Sequence, residues 1–290
     1  MTTVAFVGLG SMGLPMAKNL IAGGFAVRGF DVQPSALDVF RQAGGQPASS
    51  PAEAASGAEV LLLMVVNAAQ AETVLFDGGA LAALPSGGIV ILMSTCPPGS
   101  VAAIAARVAD AGRRFVDAPV SGGVVGAVAG KLTIMAAAVK ETFSVVKPIF
   151  DALGDKVYLV GDRAGQGAMV KTVNQLLCGV HIAATAEALA LAAKVGLDGG
   201  LMLQILGGSS ASSWMLKDRG PRMLEHDPEI TSAVDIFVKD LGIVLEAGRQ
   251  TKAALPLAAL AHQMFLSVSG QGGGAADDSQ VIRAYQALNG

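Results

Sequence analysis

The alternation of strand-like and helix-like segments is the feature that most limits the fold of this 290-residue chain. In its first half, short apolar runs rich in β-branched residues, such as 4–7, 26–30 and 60–66, are separated by helical stretches. Nearly continuous apolar strands between helices are typical of a parallel sheet that is covered on both faces. We therefore expect a doubly wound α/β domain with a mostly parallel sheet.

The strand pattern stops near residue 162, and the rest of the chain shows helical patterns, the first of them unusually long, over about 165–195. Later helices are predicted over 199–206, 234–250, 256–267 and 279–288, with a loop at 270–274. The sequence thus predicts two domains, the α/β domain over 1–162 and an all-helical domain over 163–290.

The composition excludes several classes of protein. Hydrophobic residues make up 52% of the chain and charged residues 15%, the reverse of the balance in a disordered chain. The formal net charge is −3 and no basic block occurs, so we expect no nucleic-acid partner and no anionic membrane partner. The two cysteines, Cys96 and Cys178, lie far apart without other ligand residues nearby, so neither a metal site nor a disulfide framework is expected.

No segment of the chain indicates export or membrane insertion. The most apolar long stretch, 176–193, is rich in alanine and contains His181 and Glu187, which favours a buried helix over a membrane span. Met1 is followed almost at once by the first strand, without a charged segment or cleavage site, so a signal peptide is not expected. The sequence therefore predicts a cytoplasmic protein.

A glycine-rich segment follows the first predicted strand and opens the first predicted helix. It consists of Gly8, Leu9, Gly10, Ser11, Met12 and Gly13. In such a GxGxxG turn the first glycine allows a tight turn, the second lets a pyrophosphate approach the backbone, and the third lets the helix pack closely. The motif alone arises easily by chance in a chain with 37 glycines, but its place between strand and helix predicts a dinucleotide site.

Asp31 ends the second predicted strand, 18 residues after Gly13. An acidic residue at this point accepts hydrogen bonds from the ribose of NAD and repels the 2′-phosphate of NADP. We therefore expect Asp31 to bind the ribose and the cofactor to be NAD, although Arg28 lies nearby. The alternative is that Asp31 caps the helix that starts at Pro34.

Lys171 is the candidate for the base that takes the hydroxyl proton when an alcohol is oxidised. It lies early on the long helix in an otherwise apolar turn, where desolvation is expected to lower the pKa of the amine. Asn174 and Gln175 follow on nearly the same helix face. The three histidines are scattered, and His181 is better explained as a core or interface residue. The alternative for Lys171 is a side chain that extends to solvent.

Two other polar segments follow predicted strands. Ser121, Gly122 and Gly123 offer a hydroxyl and backbone N–H groups that suit a carboxylate, although Ser-Gly-Gly is also an ordinary loop sequence. Thr95 ends another strand. Because ligands of open α/β sheets lie beyond the carboxyl ends of the strands, both segments are candidate binding segments.

Together these segments resemble the β-hydroxyacid dehydrogenase family, which includes 3-hydroxyisobutyrate dehydrogenases and tartronate semialdehyde reductases. Residues 8–17 resemble its cofactor signature, 117–123 its substrate segment and 165–171 its catalytic segment. Lys239 and Asp240, otherwise explicable as an exposed charge pair on a helix, fall where the family has a late lysine and aspartate. The resemblance covers essentially the whole chain.

The resemblance implies an NAD-dependent dehydrogenase of a small hydroxy acid, with a Rossmann domain followed by a helical domain. It implies that Lys171 is the general acid/base. For the substrate it implies Ser121, Gly122, Gly123, Asn174, Gln175 and Asp240, and for the cofactor the GxGxxG segment, Asp31, Thr95 and Lys239. Family members pair subunits through the helical domain, so a homodimer or homotetramer is expected.

Position 175 departs from the family pattern, which commonly has asparagine four residues after the catalytic lysine. Segments 173–182 and 232–242 resemble the L-threonate dehydrogenase branch, which oxidises the C2 hydroxyl of a four-carbon sugar acid. The expected reaction is therefore L-threonate to 2-dehydro-L-erythronate (2-oxo-tetronate). The alternatives are tartronate semialdehyde reduction, 3-hydroxyisobutyrate oxidation and, more remotely, a nicotinamide-binding sensor without chemistry.

Overall fold

The chain folds into two compact units that are joined within one long helix. In the computed structural model, which describes residues 2–290, the first unit ends at Lys171 and the second begins at Thr172. The first unit contains a sheet with helices on both faces, and the second is helical.

One sheet organises the first unit. Its strands within the described residues are β1 (Thr3–Val7), β2 (Ala26–Phe30), β3 (Gln46–Pro47), β4 (Val60–Leu63), β5 (Ile89–Leu92), β6 (Arg114–Asp117), β7 (Val120–Ser121), β8 (Thr133–Ala137) and β9 (Lys156–Gly161). They lie in the order β3-β2-β1-β4-β5-β6-β8-β7, and β9 pairs with β8. Pairing is parallel from β3 to β6, whereas β8 runs antiparallel to β6 and β7. The predicted mostly parallel, doubly wound sheet is confirmed.

The register of the parallel strands aligns their carboxyl ends. Val7 pairs with Phe30 on one side and with Leu63 on the other, Leu63 pairs with Leu92, and Leu92 pairs with Asp117. The loops that follow these strands therefore leave the sheet along one edge. The strand order reverses between β1 and β4, the point at which open α/β sheets bind their ligands.

Helices cover both faces of the sheet. They are α1 (Gly13–Ala22), α2 (Pro34–Gln42), α3 (Pro51–Ala55), α4 (Ala68–Glu72) with a π-helical turn at Thr73–Asp77, α5 (Ala80–Ala83), α6 (Pro98–Asp110), α7 (Gly123–Ala129) and α8 (Lys140–Leu153). Successive strand residues point to opposite faces, so Phe6 and Leu62 join a core with α1, α2, α7 and α8, while Leu61 and Val90 join a core with the others. Burial on both faces explains why the strands lack polar alternation.

Phe40 packs α2 against β2. Its ring is fully buried and lies against Gly29 on β2 and Gly45 in the loop that follows α2. A Cβ built on Gly29 would lie 2.4 Å from the ring, and one built on Gly45 would lie 2.3 Å from it. The ring therefore occupies the space that a side chain at either glycine would need.

The second unit is helical, as predicted. Its helices are α9 (Gln166–Lys194), which begins in the first unit, α10 (Gly199–Gly208), α11 (Trp214–Met223), α12 (Val234–Thr251), α13 (Pro256–Val268) and α14 (Ile282–Asn289). A π-helical turn at Ser269–Gly273 replaces most of the predicted loop, and a 3₁₀ turn at Asp278–Val281 precedes α14. Phe237 and Phe265 stack in its core with ring centroids 5.1 Å apart.

By length and composition, α9 could cross a membrane, and among residues 2–290 no other helix meets both criteria. In its most apolar window 44% of the residues are buried within the protein. Core helices of soluble proteins share both properties, so they do not by themselves indicate a membrane protein.

A cluster of buried and half-buried charges connects α11 to the chain just before α14. We call Asp218, Arg219, Arg222, Asp277 and Asp278 the charge cluster. Arg219 donates two parallel hydrogen bonds to Asp278, from Nε to Oδ1 at 2.8 Å and from Nη2 to Oδ2 at 2.9 Å, and also contacts Asp218. Arg222 pairs with Asp277, with Nε 3.1 Å from Oδ1. The two-point pair of Arg219 and Asp278 is of the kind that forms the strong ionic hydrogen bonds of proteins.

Asp277 is held by backbone donors as well as by Arg222. Its Oδ2 accepts the N–H of Thr231 at 2.9 Å, and its Oδ1 accepts the N–H of Ser279 at 3.1 Å. Burial acts to raise the pKa of Asp277, but the hydrogen bonds from Ser279 and Thr231 and the charge of Arg222 hold it below its usual value. The ionised form is therefore the one that this part of the fold stabilises.

Candidate active site

The GxGxxG segment forms the turn between β1 and α1. Gly8 has a φ of +96°, and a Cβ built on it would lie 2.3 Å from the carbonyl oxygen of Met64. A Cβ built on Gly13 would lie 1.8 Å from the carbonyl oxygen of Gly8, so the helix packs directly on the turn. Among the described residues other than its chain neighbours, no atom lies within 4 Å of a Cβ built on Gly10, and the backbone there is open to a ligand. This geometry fits a pyrophosphate.

The start of α1 offers hydrogen-bond donors to an anion. Its N-cap is Met12, and within residues 2–290 no side chain caps the helix and no acidic residue lies in its first turn. N–H groups in a first turn lack intrahelical partners, and the helix dipole favours negative charge near them. Together with the exposed Ser11, this turn fits the phosphates of a dinucleotide.

Asp31 lies beside the GxGxxG turn. Its Oδ2 accepts the N–H of Leu9 at 2.6 Å, and its Oδ1 accepts the N–H of Gln33 at 2.8 Å. The N-cap of α2 is Gln33 and not Asp31. Because each carboxylate oxygen can accept a second hydrogen bond, Asp31 can hold the turn and still accept a ribose hydroxyl.

Two other predicted segments lie at the ends of β5 and β7. Ser94 is buried after β5, and Thr95 beside it is half-buried. Ser121 ends β7, and both Gly122 and Gly123 have positive φ, 129° and 59°. Apart from its chain neighbours and its own helix backbone, no atom of the described residues lies within 4 Å of a Cβ built on Gly123, so a ligand can approach it.

Asp117 is a buried carboxylate at the end of β6, with 1% of its surface exposed. Its Oδ2 accepts the N–H of Gly165 and the N–H of Ala168, both at 2.9 Å. Burial raises the pKa of Asp117 to about 6, and the N–H groups of Ala168, Gly165 and Gly167 oppose this rise. The carboxylate thus connects the sheet edge to the start of α9.

Lys171 lies in the second turn of α9 and is 6% exposed, so its side chain is buried and does not extend to solvent. Burial of an amine disfavours its ammonium form. A buried lysine is therefore suited to accept a proton.

The helical unit joins four other predicted residues. Gln175, which is 7% exposed, donates from Nε2 to Oδ2 of Asp240 at 2.5 Å and accepts at Oε1 from Nδ2 of Asn174 at 2.9 Å. The ammonium of Lys239 lies 2.9 Å from Oδ1 of Asp240, outside hydrogen-bonding geometry but within ion-pair distance. Asp240 is 2% exposed, so the alternative of an exposed charge pair is wrong.

The structure thus places the predicted residues in two sets, one in each unit, with Lys171 and Gln175 four residues apart on one continuous helix. Two residues of these networks were not predicted. Asp117 was assigned no role of its own, although an acidic residue that ends an apolar strand is a sign of a buried contact. Cys178 lies with Sγ 3.3 Å from Nδ2 of Asn174, and a lone cysteine in an apolar helix gives no such sign.

Comparison with known proteins identifies the family. Residues 3–161 match the family model for the NAD binding domain of 6-phosphogluconate dehydrogenase, and 165–285 match that for the NAD-binding region of NADP-dependent 3-hydroxyisobutyrate dehydrogenase. The L-threonate dehydrogenase of Cupriavidus necator is 45% identical over 98% of this chain and 96% of that protein. The chain belongs to the β-hydroxyacid dehydrogenase family.

Further relatives support the assignment to this family. The L-threonate dehydrogenase of Escherichia coli K12 is 39% identical over 98% of this chain and 95% of that protein. A crystal structure of a 3-hydroxyisobutyrate dehydrogenase from Salmonella typhimurium superposes with a TM-score of 0.93 at 40% identity, covering 98% of this chain and 99% of that one. As a β-hydroxyacid dehydrogenase, the chain is an oxidoreductase of a small hydroxy acid with an NAD(P) cofactor, and the predicted enzyme class and the nicotinamide cofactor are confirmed.

Proposed function

We propose that this β-hydroxyacid dehydrogenase oxidises the C2 hydroxyl of L-threonate to 2-dehydro-L-erythronate, using NAD⁺, with Lys171 as general base. The observation that carries the choice of substrate is the set of L-threonate dehydrogenases that are 39–45% identical to this chain over at least 98% of its length. The chemistry of the site residues supports this assignment.

Lys171 moves the proton. In its amine form, the buried Nζ accepts the proton of the C2 hydroxyl. When bound, the nicotinamide supplies the hydride acceptor. In the reverse direction the Lys171 ammonium returns the proton to the carbonyl oxygen, so one residue is base and acid in turn.

The proposed carboxylate subsite is Ser121, Gly122 and Gly123. The hydroxyl of Ser121 and the backbone N–H groups of the two glycines donate hydrogen bonds without a positive charge. Open space at Gly123 and the positive φ of both glycines support this role, because a side chain there would be strained or would block the approach.

Gln175 supports a polyhydroxy substrate. Beyond its bonds to Asp240 and Asn174, the amide retains a second hydrogen on Nε2 and a second lone pair on Oε1. These can pair with the C3 and C4 hydroxyls of a four-carbon sugar acid. The methyl group of 3-hydroxyisobutyrate offers them no partner, and buried polar groups left without partners weaken binding.

The test of the substrate is NADH formation with NAD⁺ and a panel of L-threonate, D-threonate, D-erythronate, 3-hydroxyisobutyrate and D-glycerate. We expect the highest kcat/KM for L-threonate. A specific observation favours 3-hydroxyisobutyrate as the second candidate, since the Salmonella structure bears that name at 40% identity. Preference for that acid, or for glycerate, would keep the family and contradict our choice of substrate.

Replacement of the base tests the mechanism. Lys171→Ala should lower kcat by about 10²- to 10⁴-fold, the usual loss on removing a positioned general base. Lys194→Ala is the matched control, because Lys194 ends the same helix and its exposed Nζ donates a hydrogen bond to the carbonyl oxygen of Asn289. Lys194→Ala should retain wild-type kcat. Wild-type turnover in Lys171→Ala would remove Lys171 from the mechanism.

Replacement of Asp31 tests the choice of NAD over NADP. Asp31→Ala removes the ribose acceptor and the negative charge that repels a 2′-phosphate, so the preference for NAD should fall about tenfold or more, as for loss of hydrogen bonds to a charged group. The measurement is the ratio of kcat/KM with the two cofactors. An unchanged ratio would refute the assignment of Asp31 to the ribose.

We also propose a cytoplasmic homodimer or homotetramer that associates through the helical part of the chain, with functional domains at 1–162 and 163–290. The support is a set of exposed apolar side chains on α9 and α10, namely Val173, Leu177, Leu191, Leu201 and Ile205, each more than half exposed. Apolar surface of this kind is typical of a contact between proteins. Light scattering after size-exclusion chromatography measures the mass, and a monomer would contradict the proposal.

A further inference from the structure

We propose that Asp117 is a positioning residue for the reaction: its carboxylate holds the first turn of α9 and thereby sets the place of the Lys171 amine. The inference rests on the proposed role of Lys171 and goes beyond the substrate, cofactor and base already assigned. It concerns the first unit alone, which contains all the contacts that carry it.

The first observation is that Asp117 replaces the capping residues that α9 lacks. The carbonyl of Gly165 accepts the first helical bond of α9, from the N–H of Met169 at 2.9 Å, which makes Gly165 the N-cap. In a capping box, the N-cap side chain accepts the N–H three residues on, and a side chain there accepts the N–H of the N-cap. Gly165 and Ala168 can do neither, and Oδ2 of Asp117 accepts both N–H groups.

The second observation is the close packing of the α9 backbone against β6. A Cβ built on Gly167 would lie 2.8 Å from the carbonyl oxygen of Asp117, 3.1 Å from its Cγ and 2.5 Å from the carbonyl oxygen of Met135. The backbone of the first helical turn therefore lies directly against the end of β6 and the middle of β8. A remote carboxylate and close backbone packing together fix this turn.

The third observation is the position of the base relative to the cap. Lys171 follows Gly167 by four residues and Ala168 by three, so it lies one turn above the residues that Asp117 holds. A displacement of the first turn moves the amine with it. Misplacement of a reacting group by about 1 Å can cost about 10²-fold in rate.

The fourth observation is that Asp117 also begins the segment that contains the carboxylate subsite. Ser121 is four residues beyond it, and Asp117 pairs with Leu92 in the row of residues that aligns the strand ends. The Asp117 carboxylate therefore lies at the start of the segment that contains Ser121 and binds the N-terminus of the helix that contains Lys171. Burial of the Asp117 carboxyl raises its pKa, which makes it a costly way to cap a helix. Its link to both segments of the site gives a functional reason for its presence there.

The experiment measures kcat, KM and the deuterium isotope effect for L-threonate carrying deuterium at C2. Asp117→Ala should lower kcat by about 10²-fold and leave KM for NAD⁺ unchanged. The isotope effect should rise, because hydride transfer with a misplaced base becomes more rate-limiting. Asp117→Asn retains one acceptor oxygen and should recover most of the loss, to within about tenfold of wild type. It also serves as the test if Asp117→Ala does not fold.

The matched control removes the charge of another aspartate that caps a helix, Asp198 at the start of α10. Oδ1 of Asp198 accepts the N–H of Leu201 at 2.7 Å at the start of α10. Asp198→Asn should lower the Tm slightly and leave kcat and the isotope effect unchanged. If the role of Asp117 is purely structural, its variants should lose Tm, and kcat should fall only in proportion to the folded fraction while the isotope effect stays at the wild-type value. That result would overturn the proposal.

A double-mutant cycle separates this inference from the proposed function. If Asp117 acts through Lys171, the Asp117→Ala substitution, which should cost about 10²-fold alone, should cost less than about threefold in the Lys171→Ala background. Fully additive losses would show that Asp117 acts elsewhere and would overturn the proposal. Wild-type kcat in the Lys171→Ala single variant would instead contradict the proposed function, whatever Asp117→Ala does.

Discussion

Asp117 in the first unit and Asp278 in the second are buried to the same degree in opposite surroundings. Asp117 is 1% exposed and is held by backbone N–H groups, and no charged group of residues 2–290 shifts its pKa. Asp278 is fully buried, but the guanidinium of Arg219 faces both of its oxygens. One carboxylate is buried without a counter-charge, and the other is buried with one.

The difference separates a contact that supports the fold from one that supports the reaction. Burial of a charge is costly unless it is paired, so the charge cluster has the arrangement expected where chain segments must be held together. Burial raises the pKa of both carboxyl groups, but the charge of Arg219 opposes the rise at Asp278, whereas at Asp117 backbone N–H groups oppose it. Carboxylates that are buried without a paired charge concentrate at functional sites. The charge cluster should therefore control unfolding, and Asp117 should control turnover.

The largest expected effect on stability is at Arg219. Arg219→Met leaves Asp278 buried without its counter-charge and should lower the free energy of unfolding by about 3–5 kcal/mol. Urea unfolding at neutral pH measures this loss, and kcat per folded molecule should stay near wild type. Addition of Asp278→Asn removes the unpaired charge and should restore part of the stability. A loss below about 1 kcal/mol would contradict the contrast between the two carboxylates, since it would show that the pair of Arg219 and Asp278 contributes little to stability.

The second effect is a pH dependence at Asp117. Its pKa is about 6 in the folded protein and 3.8 in the unfolded chain, so between these values the folded state binds more protons and stability falls as pH rises. Relative to Asp117→Asn, which does not titrate, the wild type should lose about 2.4 kcal/mol between pH 4 and pH 7. Chemical unfolding of both proteins across this range tests it. A constant difference would mean that Asp117 is not desolvated.

The smallest effect, of opposite sign, is at Asp277. Its pKa is lowered in the folded protein, so its ionised form contributes stability at neutral pH that is lost as pH falls through that lowered value. Asp277→Asn should cost about 1.5–2 kcal/mol at pH 7, the size of hydrogen bonds to a charged group, and close to nothing in strong acid. Arg222 keeps Asp218 at 3.3 Å, which limits the loss. A cost that grows toward acid pH would contradict the assignment.

Local pattern was enough to predict much of the fold. The bounds of β2 and α2 follow directly from an apolar run that ends at Asp31 and a helix that opens with Pro34. Helices α8 and α11 were not predicted, and both contain an internal proline, Pro148 and Pro221, which local rules treat as a helix breaker. The two-residue strand β7 and the reversal of β8 depend on pairing across the sheet, and short segments carry little information about their partners.

The site was predictable to the extent that its residues have characteristic neighbours in sequence. The GxGxxG turn, Asp31 and Lys171 lie in segments with recognisable spacing. The bonds from Asp117 to Gly165 and Ala168 span 48 and 51 residues, and the bond from Gln175 to Asp240 spans 65. Contacts of that length are set by the register of the sheet and the packing of helices, which local spacing does not determine.

The ring of Phe40 makes the residues that can stand at positions 29, 40 and 45 depend on one another. Gly29 and Gly45 have room for no side chain while the phenyl group is present, so a larger residue at either should appear in relatives only with a smaller residue at 40. Gly29 lies two positions before Asp31, where its retention is easily mistaken for a requirement of the cofactor. Its inheritance should instead follow the aromatic ring, and a relative could exchange its cofactor preference while keeping this glycine.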